Sequence, residues 1–198
     1  MKYLKSGKRY SGYINLPNNC HIDRDIYFQM FFSAIITQQD QTITLHTFNP
    51  LKTGKIIQKC GEFNLFFPEE IVTYRFKVIS YIQDTIKGTF VNSFKEKRRA
   101  FRLPICDQGF SINGKNIILI NISVSGVLFI STQSLTNTIT IKHSDGKTIK
   151  AKIIEKTQKN KEFIYRAKIT DSNFNISQFL SEKYLQMCKK ILTENCKE

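Results

Sequence analysis

The sequence predicts a mainly β protein built in two halves, each a small antiparallel sandwich or barrel, with one helix at the C-terminal end. Three observations predict it. Apolar residues alternate with polar ones along most of the chain, the period that puts every second side chain on one face of a strand. Turn-forming pairs such as Asn113-Gly114 and Asp145-Gly146 punctuate these segments, and both residue types tolerate positive φ. Charge steps up in the second half: residues 1–93 carry 11 basic and 7 acidic side chains, residues 94–198 carry 19 and 9.

In chain order, Ile43 and Leu45 alternate first. Phe63, Leu65 and Phe67 follow. Val72, Tyr74, Phe76 and Val78 then share one face, against Thr73, Arg75 and Lys77 on the other. The best boundary lies near residues 92–97, which divides the chain into domains 1–93 and 94–198. Lys95-Glu96-Lys97-Arg98-Arg99-Ala100-Phe101-Arg102-Leu103-Pro104 follows as a basic hinge, and Pro104 disfavours helix before it, so an extended or looped arm is expected. Ile117 to Ile120 is a continuous apolar run, as in a strand covered on both faces. Ile149, Ala151 and Ile153 alternate with Lys150 and Lys152. Phe163, Tyr165, Ala167 and Ile169 alternate with Glu162, Arg166 and Lys168. Ile176, Phe179, Leu180, Tyr184, Met187, Cys188, Ile191 and Leu192 then fall at helical spacing. Asn175 is placed as N-cap and Gln178 as the return arm of a capping box. This helix is expected to pack on its own domain, with partner binding or dimerisation as the other reading. No internal repeat is visible.

Composition narrows the class. With 198 residues, 41% hydrophobic, 16 Phe and 8 Tyr, the chain buries a core without disulfides or metal. Nine Gly and four Pro exclude a collagen-like or low-complexity chain. The net charge of +14 points to an anionic partner. The longest charge-free stretch near the N-terminus, residues 26–39, is too short and too polar to span a bilayer, and Ser6-Gly7-Lys8-Arg9 stands where a signal peptide needs its apolar region. Cys20, Cys60, Cys106, Cys188 and Cys196 show no CxxC spacing, and an odd number fits reduced thiols. A cytoplasmic protein without membrane insertion, metal site or cofactor is expected. An enzyme is not: His21, His46 and His143 have no partner at a motif spacing, Glu69-Glu70 reads as a solvated pair after Pro68, and no P-loop or GxGxxG occurs.

Two short patterns carry the chemistry. Arg98-Arg99-Ala100-Phe101-Arg102 is an RxxxR with an extra arginine inside. Asn121-Ile122-Ser123-Val124-Ser125-Gly126 is an NxSxxG at the end of the apolar run. Alone, the first reads as a solvated linker and the second as a strand-ending turn in which Gly126 supplies positive φ. In this order, with Pro104 after the arm and Val127-Leu128-Phe129-Ile130 after the glycine, they resemble a PilZ domain, the receptor module for the bacterial second messenger cyclic diguanylate (cyclic di-GMP). That family reads its ligand with RxxxR in an N-terminal arm and [DN]xSxxG on the first strands of a six-stranded β-barrel. The match falls on Arg98, Arg102, Asn121, Ser123 and Gly126, and Asn121 stands where Asp is commoner. Tyr165-Arg166 and the C-terminal helix also look like a PilZ ending. The resemblance covers residues 94–195. The first half looks, by position and topology, like the β-rich partner domain of flagellar-brake-type PilZ proteins.

The resemblance implies two β-barrels in tandem, the second six-stranded and followed by the helix. It implies a non-enzymatic cyclic di-GMP receptor that reorients its domains and acts on a downstream protein partner in motility or envelope functions. The implied ligand-binding residues are Arg98, Arg99, Arg102, Asn121, Ser123 and Gly126, with Lys97, Ser125 and Arg166 as further candidates. The residue types suit the ligand. A guanidinium forks two N–H donors onto a phosphate or onto guanine O6 and N7, and it stacks on a base. Asn121 and Ser123, two apart, point to one face of a strand. Gly126 lets backbone come close. The rival is a nucleic-acid-binding β-barrel, with Phe and Tyr stacking bases and Lys142, Lys147, Lys150, Lys152, Lys156, Lys159 and Lys161 as a basic face. Against it, the densest basic cluster is the arm 95–102 and most strand aromatics alternate inward, so nucleic acid is the less expected partner. A barrel that keeps the fold and serves only as an interaction module is the third reading, and the arginines in the arm oppose it.

Overall fold

The computed structural model describes residues 4–17, 27–47, 53–67, 71–82, 85–95 and 101–194, and of residues 17 and 106–108 the backbone only. Within them the first half forms β1 (Arg9–Pro17), β2 (Tyr27–Gln39), β3 (Thr42–Thr47), α1 (Lys55–Cys60), β4 (Glu62–Phe67), β5 (Val72–Ile82) and β6 (Thr85–Lys95). The second half forms β7 (Leu103–Ile112), β8 (Lys115–Ser123), β9 (Gly126–Ser131), β10 (Thr138–His143), β11 (Thr148–Lys159), β12 (Glu162–Ser172) and α2 (Ile176–Glu194).

Each half closes into its own six-stranded barrel. The wall of the first runs β1-β2-β3-β6-β5-β4 and that of the second β7-β8-β9-β12-β11-β10. Three strands follow in order and three return, so the halves share one topology although no repeat shows in the sequence. Closure leaves no unpaired sheet edge. β6 ends at Lys95, two residues beyond the expected 93/94 division, and β7 begins at Leu103. The arm residues Glu96, Lys97, Arg98, Arg99 and Ala100 lie outside the described residues, and Phe101 and Arg102 form no regular structure.

The alternating residues line the barrel interiors. In the first, Ile43, Leu45, Phe63, Leu65 and Phe76 are completely buried. Phe63 and Phe76, opposite each other on β4 and β5, stack with ring centroids 5.3 Å apart. Gly88 of β6 makes room for them: a Cβ there would lie 2.7 Å from the Phe63 ring. The charge-free stretch 26–39 supplies β2, whose alternate residues Phe28, Met30, Phe32, Ala34 and Ile36 face inward. α1 is an addition to the sequence expectation. Its six residues are too few for a helical period to show; Ile56 and Ile57 are buried, and Gly61 ends it at φ 70°. In the second barrel Leu119, Phe129 and Tyr165 meet inside, while Ile120, Ile130 and Ile164 form an apolar cluster on the opposite face of the wall, as the run at 117–120 suggests.

Turns follow the expected chemistry in part. Asn113 and Gly114 both have positive φ, at 51° and 74°. At Asp145-Gly146 only the glycine does, at 88°, because His143 pairs with Lys147 around a three-residue loop. Asp145 there is held well below the usual carboxylate range by bonds from Lys147 and His143. In α2, Asn175 caps through its side chain to the Gln178 N–H at 3.1 Å. Gln178 does not reach back to complete a capping box; its amide donates forward to Glu182 at 2.9 Å. Phe179 and Leu180 are buried, and Tyr184, Met187, Cys188, Ile191 and Leu192 are half-buried. Among the described residues no helix is long and apolar enough to cross a membrane, and Cys60 and Cys188 are free thiols.

Candidate functional site

The second barrel carries a cleft of about 220 Å³ at the rim where β8, β9 and β12 meet. Arg102, Asn121, Ser123, Ser125, Gly126 and Arg166 all line it. Six of the nine candidate residues are thus brought together from four separate segments; the other three, Lys97, Arg98 and Arg99, fall outside the described residues.

A β-bulge makes this gathering possible. Leu119 pairs with Phe129, but Asn121 pairs with Leu128, so Ile120 is an extra residue in β8. Before the bulge, Ile117 and Leu119 point inward. Without it, Asn121 and Ser123 would follow them into the core. The bulge reverses the parity, so that Ile122 turns in and Asn121 and Ser123 turn out to the cleft. A second bulge lies in β11: Ile153 pairs with Ala167 and Glu155 with Arg166, leaving Ile154 extra. Ile154 is 67% exposed and forms part of the cleft wall.

Arg102 is anchored on both sides. Leu103 after it is fully buried, and the ring of Phe101 before it packs edge-on against Tyr184 of α2 at 5.8 Å. Pro104 pairs with Asn121, which sets the arm's last residues beside the NxSxxG strand.

Ser123 serves the turn. Its side chain is 4% exposed. The hydroxyl donates to the Gly126 carbonyl at 3.2 Å and accepts from the N–H groups of Gly126 at 3.1 Å and Ser125 at 3.4 Å. These bonds stitch the two-residue turn at Val124-Ser125 and occupy the hydroxyl.

Gly126 differs from the expectation in its backbone. Its φ is not positive. What excludes a side chain is proximity: a Cβ would lie 3.1 Å from the Ala167 carbonyl oxygen on β12. Gly126→Ala is therefore expected to push β9 from β12 by a few tenths of an ångström and cost about 1 kcal/mol. Ser123→Ala orphans turn N–H groups and is expected to cost about 1–2 kcal/mol. Chemical denaturation of both variants checks this; a Ser123→Ala protein as stable as the parent contradicts the turn role.

The electrostatics of the cleft are uneven. Arg166 donates to Glu155 at 2.7 Å, and Lys150 pairs with Asp171 at 3.3 Å. Lys168 also lines the cleft and stands opposite Gly126 on one side and Lys152 on the other. Two exposed lysines directly opposite each other repel. Neither has an acidic partner among the described residues, so the wall beside Gly126 favours an anion. Lys168 was not among the sequence candidates. The available signal was its spacing, two residues after Arg166 and so on the same outward face. Leu128 and Ile154 were also missed, the latter because no period marks a bulge. The His143 Nδ1 lies 2.6 Å from an Asp145 carboxylate oxygen at the β10–β11 loop. Among the described residues no three His, Cys, Asp or Glu side chains gather as a metal centre.

No protein-family profile matches the chain, and no curated protein does. Solved structures do. The Bacillus subtilis inhibitor of motility MotI/DgrA is 9% identical, with 94% of this chain and 98% of that one covered and a TM-score of 0.39. The K. pneumonia MrkH–c-di-GMP complex is 12% identical over 96% and 90%, with a TM-score of 0.33. The Borreliella burgdorferi PlzA protein, also solved with c-di-GMP, is 13% identical over 79% and 83%, with a TM-score of 0.33. With every TM-score below 0.5, these likenesses assign no function to this chain.

Proposed function

We propose that this chain is a non-enzymatic receptor for cyclic di-GMP, which binds at the rim cleft of the second barrel. The observation that carries the reading is the convergence in one cleft of Arg102, Asn121, Gly126 and Arg166, with Asn121 turned outward by the bulge at Ile120. The cleft is smaller than the roughly 300–1,000 Å³ of a site that encloses a drug-sized ligand. It suits one base or one phosphate, with the arm arginines Arg98, Arg99 and Arg102 covering the rest. Asn121 meets a base edge, Gly126 admits the ligand to the backbone, and Ile154 and Leu128 offer apolar contact to a base face.

Ser123 enters this scheme as the residue that fixes the turn. Lys168 enters it as a phosphate partner, since an anion between it and Lys152 relieves their repulsion. Lys168→Met is expected to raise the Kd for cyclic di-GMP by roughly tenfold, about 1.4 kcal/mol, without lowering the melting temperature. Calorimetric titration of the variant checks this, and an unchanged Kd removes Lys168 from the site.

The arm joins β6 to β7, so its contacts with a bound ligand bias the arrangement of the two barrels, and the output is a surface read by a downstream protein in motility or envelope functions. The ligand can shift that equilibrium only by its differential affinity for the two arrangements. The test of the whole reading is competition: fluorescently labelled cyclic di-GMP bound to the full chain, challenged with unlabelled cyclic di-GMP or single-stranded oligonucleotide. Displacement by the dinucleotide alone supports the receptor. Tight oligonucleotide binding with no dinucleotide binding selects the nucleic-acid-binding barrel instead.

A further inference from the structure

The rim cleft of the second barrel presents base-reading groups of two kinds. Arg102 lines it with a fork of N–H donors, and Asn121 lines it with a carboxamide, an acceptor oxygen beside a donor nitrogen. Among the described residues no carboxylate lines the cleft; its polar side chains are Arg102, Asn121, Ser123, Ser125, Arg166 and Lys168. Glu155, next in the chain to Ile154, has its carboxylate on Arg166 at 2.7 Å. The Ser123 hydroxyl is taken up by the turn. No hydrogen bond among the described residues engages the Asn121 carboxamide, so both of its ends are open to a ligand. The Ser125 hydroxyl rotates to donate or accept and favours no base.

We infer that the cleft takes mixed guanine–adenine cyclic dinucleotides as well as cyclic di-GMP, with the base at Asn121 free to be either purine. The inference rests on the receptor reading above and concerns what that site selects. Guanine differs from adenine by two adjacent donors, N1–H and N2–H, beside the acceptor O6. A carboxylate accepts from both donors and so selects guanine; offered adenine, it has one N6–H to accept and its second oxygen faces a ring-nitrogen lone pair. A carboxamide makes no such choice. Against guanine its nitrogen donates to O6 and its oxygen accepts from N1–H. Turned end for end about its last torsion, its oxygen accepts from adenine N6–H and its nitrogen donates to adenine N1 or N7. Each base meets Asn121 through two bonds. The arginine fork does discriminate, because it donates to guanine O6 and N7, and adenine puts the N6 donor where O6 would be. One guanine for an arginine and either purine for Asn121 is therefore the requirement the cleft imposes.

The test is calorimetric titration of the full chain with three ligands of the same ring: cyclic di-GMP, the matching cyclic GMP–AMP, and cyclic di-AMP. The expected Kd values for the first two agree within about threefold, and cyclic di-AMP binds at least about tenfold more weakly, the loss of one bidentate base contact. Asn121→Asp should separate the first two, with cyclic GMP–AMP at least about tenfold weaker than cyclic di-GMP. Asn121→Ala should weaken both by the same factor, and it carries the test if the Asp variant does not fold. Heat with cyclic di-GMP but a cyclic GMP–AMP Kd tenfold or more higher in the wild-type chain overturns the inference and leaves the receptor reading standing. Equal Kd values for all three ligands overturn it as well, because the bases are then not read. So does an Asn121→Asp variant that binds the first two equally, or an Asn121→Ala variant that loses cyclic di-GMP alone. No heat with any of the three overturns the receptor reading and this inference with it.

Discussion

Arg102→Ala is expected to raise the Kd for cyclic di-GMP by roughly 5- to 150-fold, about 1–3 kcal/mol, and to leave the melting temperature unchanged. The two halves of this result have separate causes. Arg102 lines the rim cleft with a charged fork, and its loss removes a bidentate contact to phosphate or guanine. Its side chain is exposed, while its neighbours Phe101 and Leu103 do the anchoring, so truncation uncovers no core. Wild-type binding should also weaken with added salt, because the contacts lie near the surface. A paired melt and titration reads both halves. If Arg102→Ala unfolds the protein while its folded fraction binds normally, the arginine is structural and the arm is a linker.

The largest stability effect is expected at Tyr165. Tyr165→Ala should cost about 3–5 kcal/mol, enough to leave a barrel of this size marginal. The ring is completely buried and stacks on Phe129 with centroids 5.1 Å apart. The phenol accepts from the Leu135 N–H at 2.8 Å and donates to the Gln133 carbonyl at 2.9 Å, tying the loop after β9 to β12. Tyr165→Phe keeps the stack and orphans both loop groups, which should cost about 1–3 kcal/mol. Urea denaturation of the two variants separates ring from hydroxyl. The measurement also bears on the site, because Tyr165 pointing inward is what turns Arg166 outward. A loss below about 1 kcal/mol for Tyr165→Ala would contradict this register.

How far the sequence showed these features depends on whether a local signal carried them. The inward faces of β4, β5, β11 and β12 were legible, since alternation at Phe63, Tyr74, Ala151 and Tyr165 is a direct readout of a half-buried wall. That Asn121 and Ser123 share a face was legible from their spacing. Which face was not. In Ile117-Ile118-Leu119-Ile120 every residue is apolar, so no period marks the extra residue at Ile120 that sends Asn121 outward. The same holds for Ile154, an isoleucine beside an isoleucine. Gly126 was legible as a place of close approach but not as a residue of ordinary φ, because the constraint comes from Ala167, forty-one positions away in sequence. The hydroxyl of Ser123 could be read as a ligand group or a turn staple from sequence, and the geometry assigns it to the turn. Closure of each half into a barrel with the same strand order depends on long-range pairings such as β1 with β4 and β7 with β10, which no local pattern reports.

Calorimetric titration of the full chain with cyclic di-GMP tests the central claim most directly. The predicted result is saturable heat with a Kd in the micromolar range, near −8 kcal/mol, as expected from a few charged contacts on an open cleft. No heat with cyclic di-GMP at about 100 μM, from a chain whose melt shows it to be folded, would contradict it.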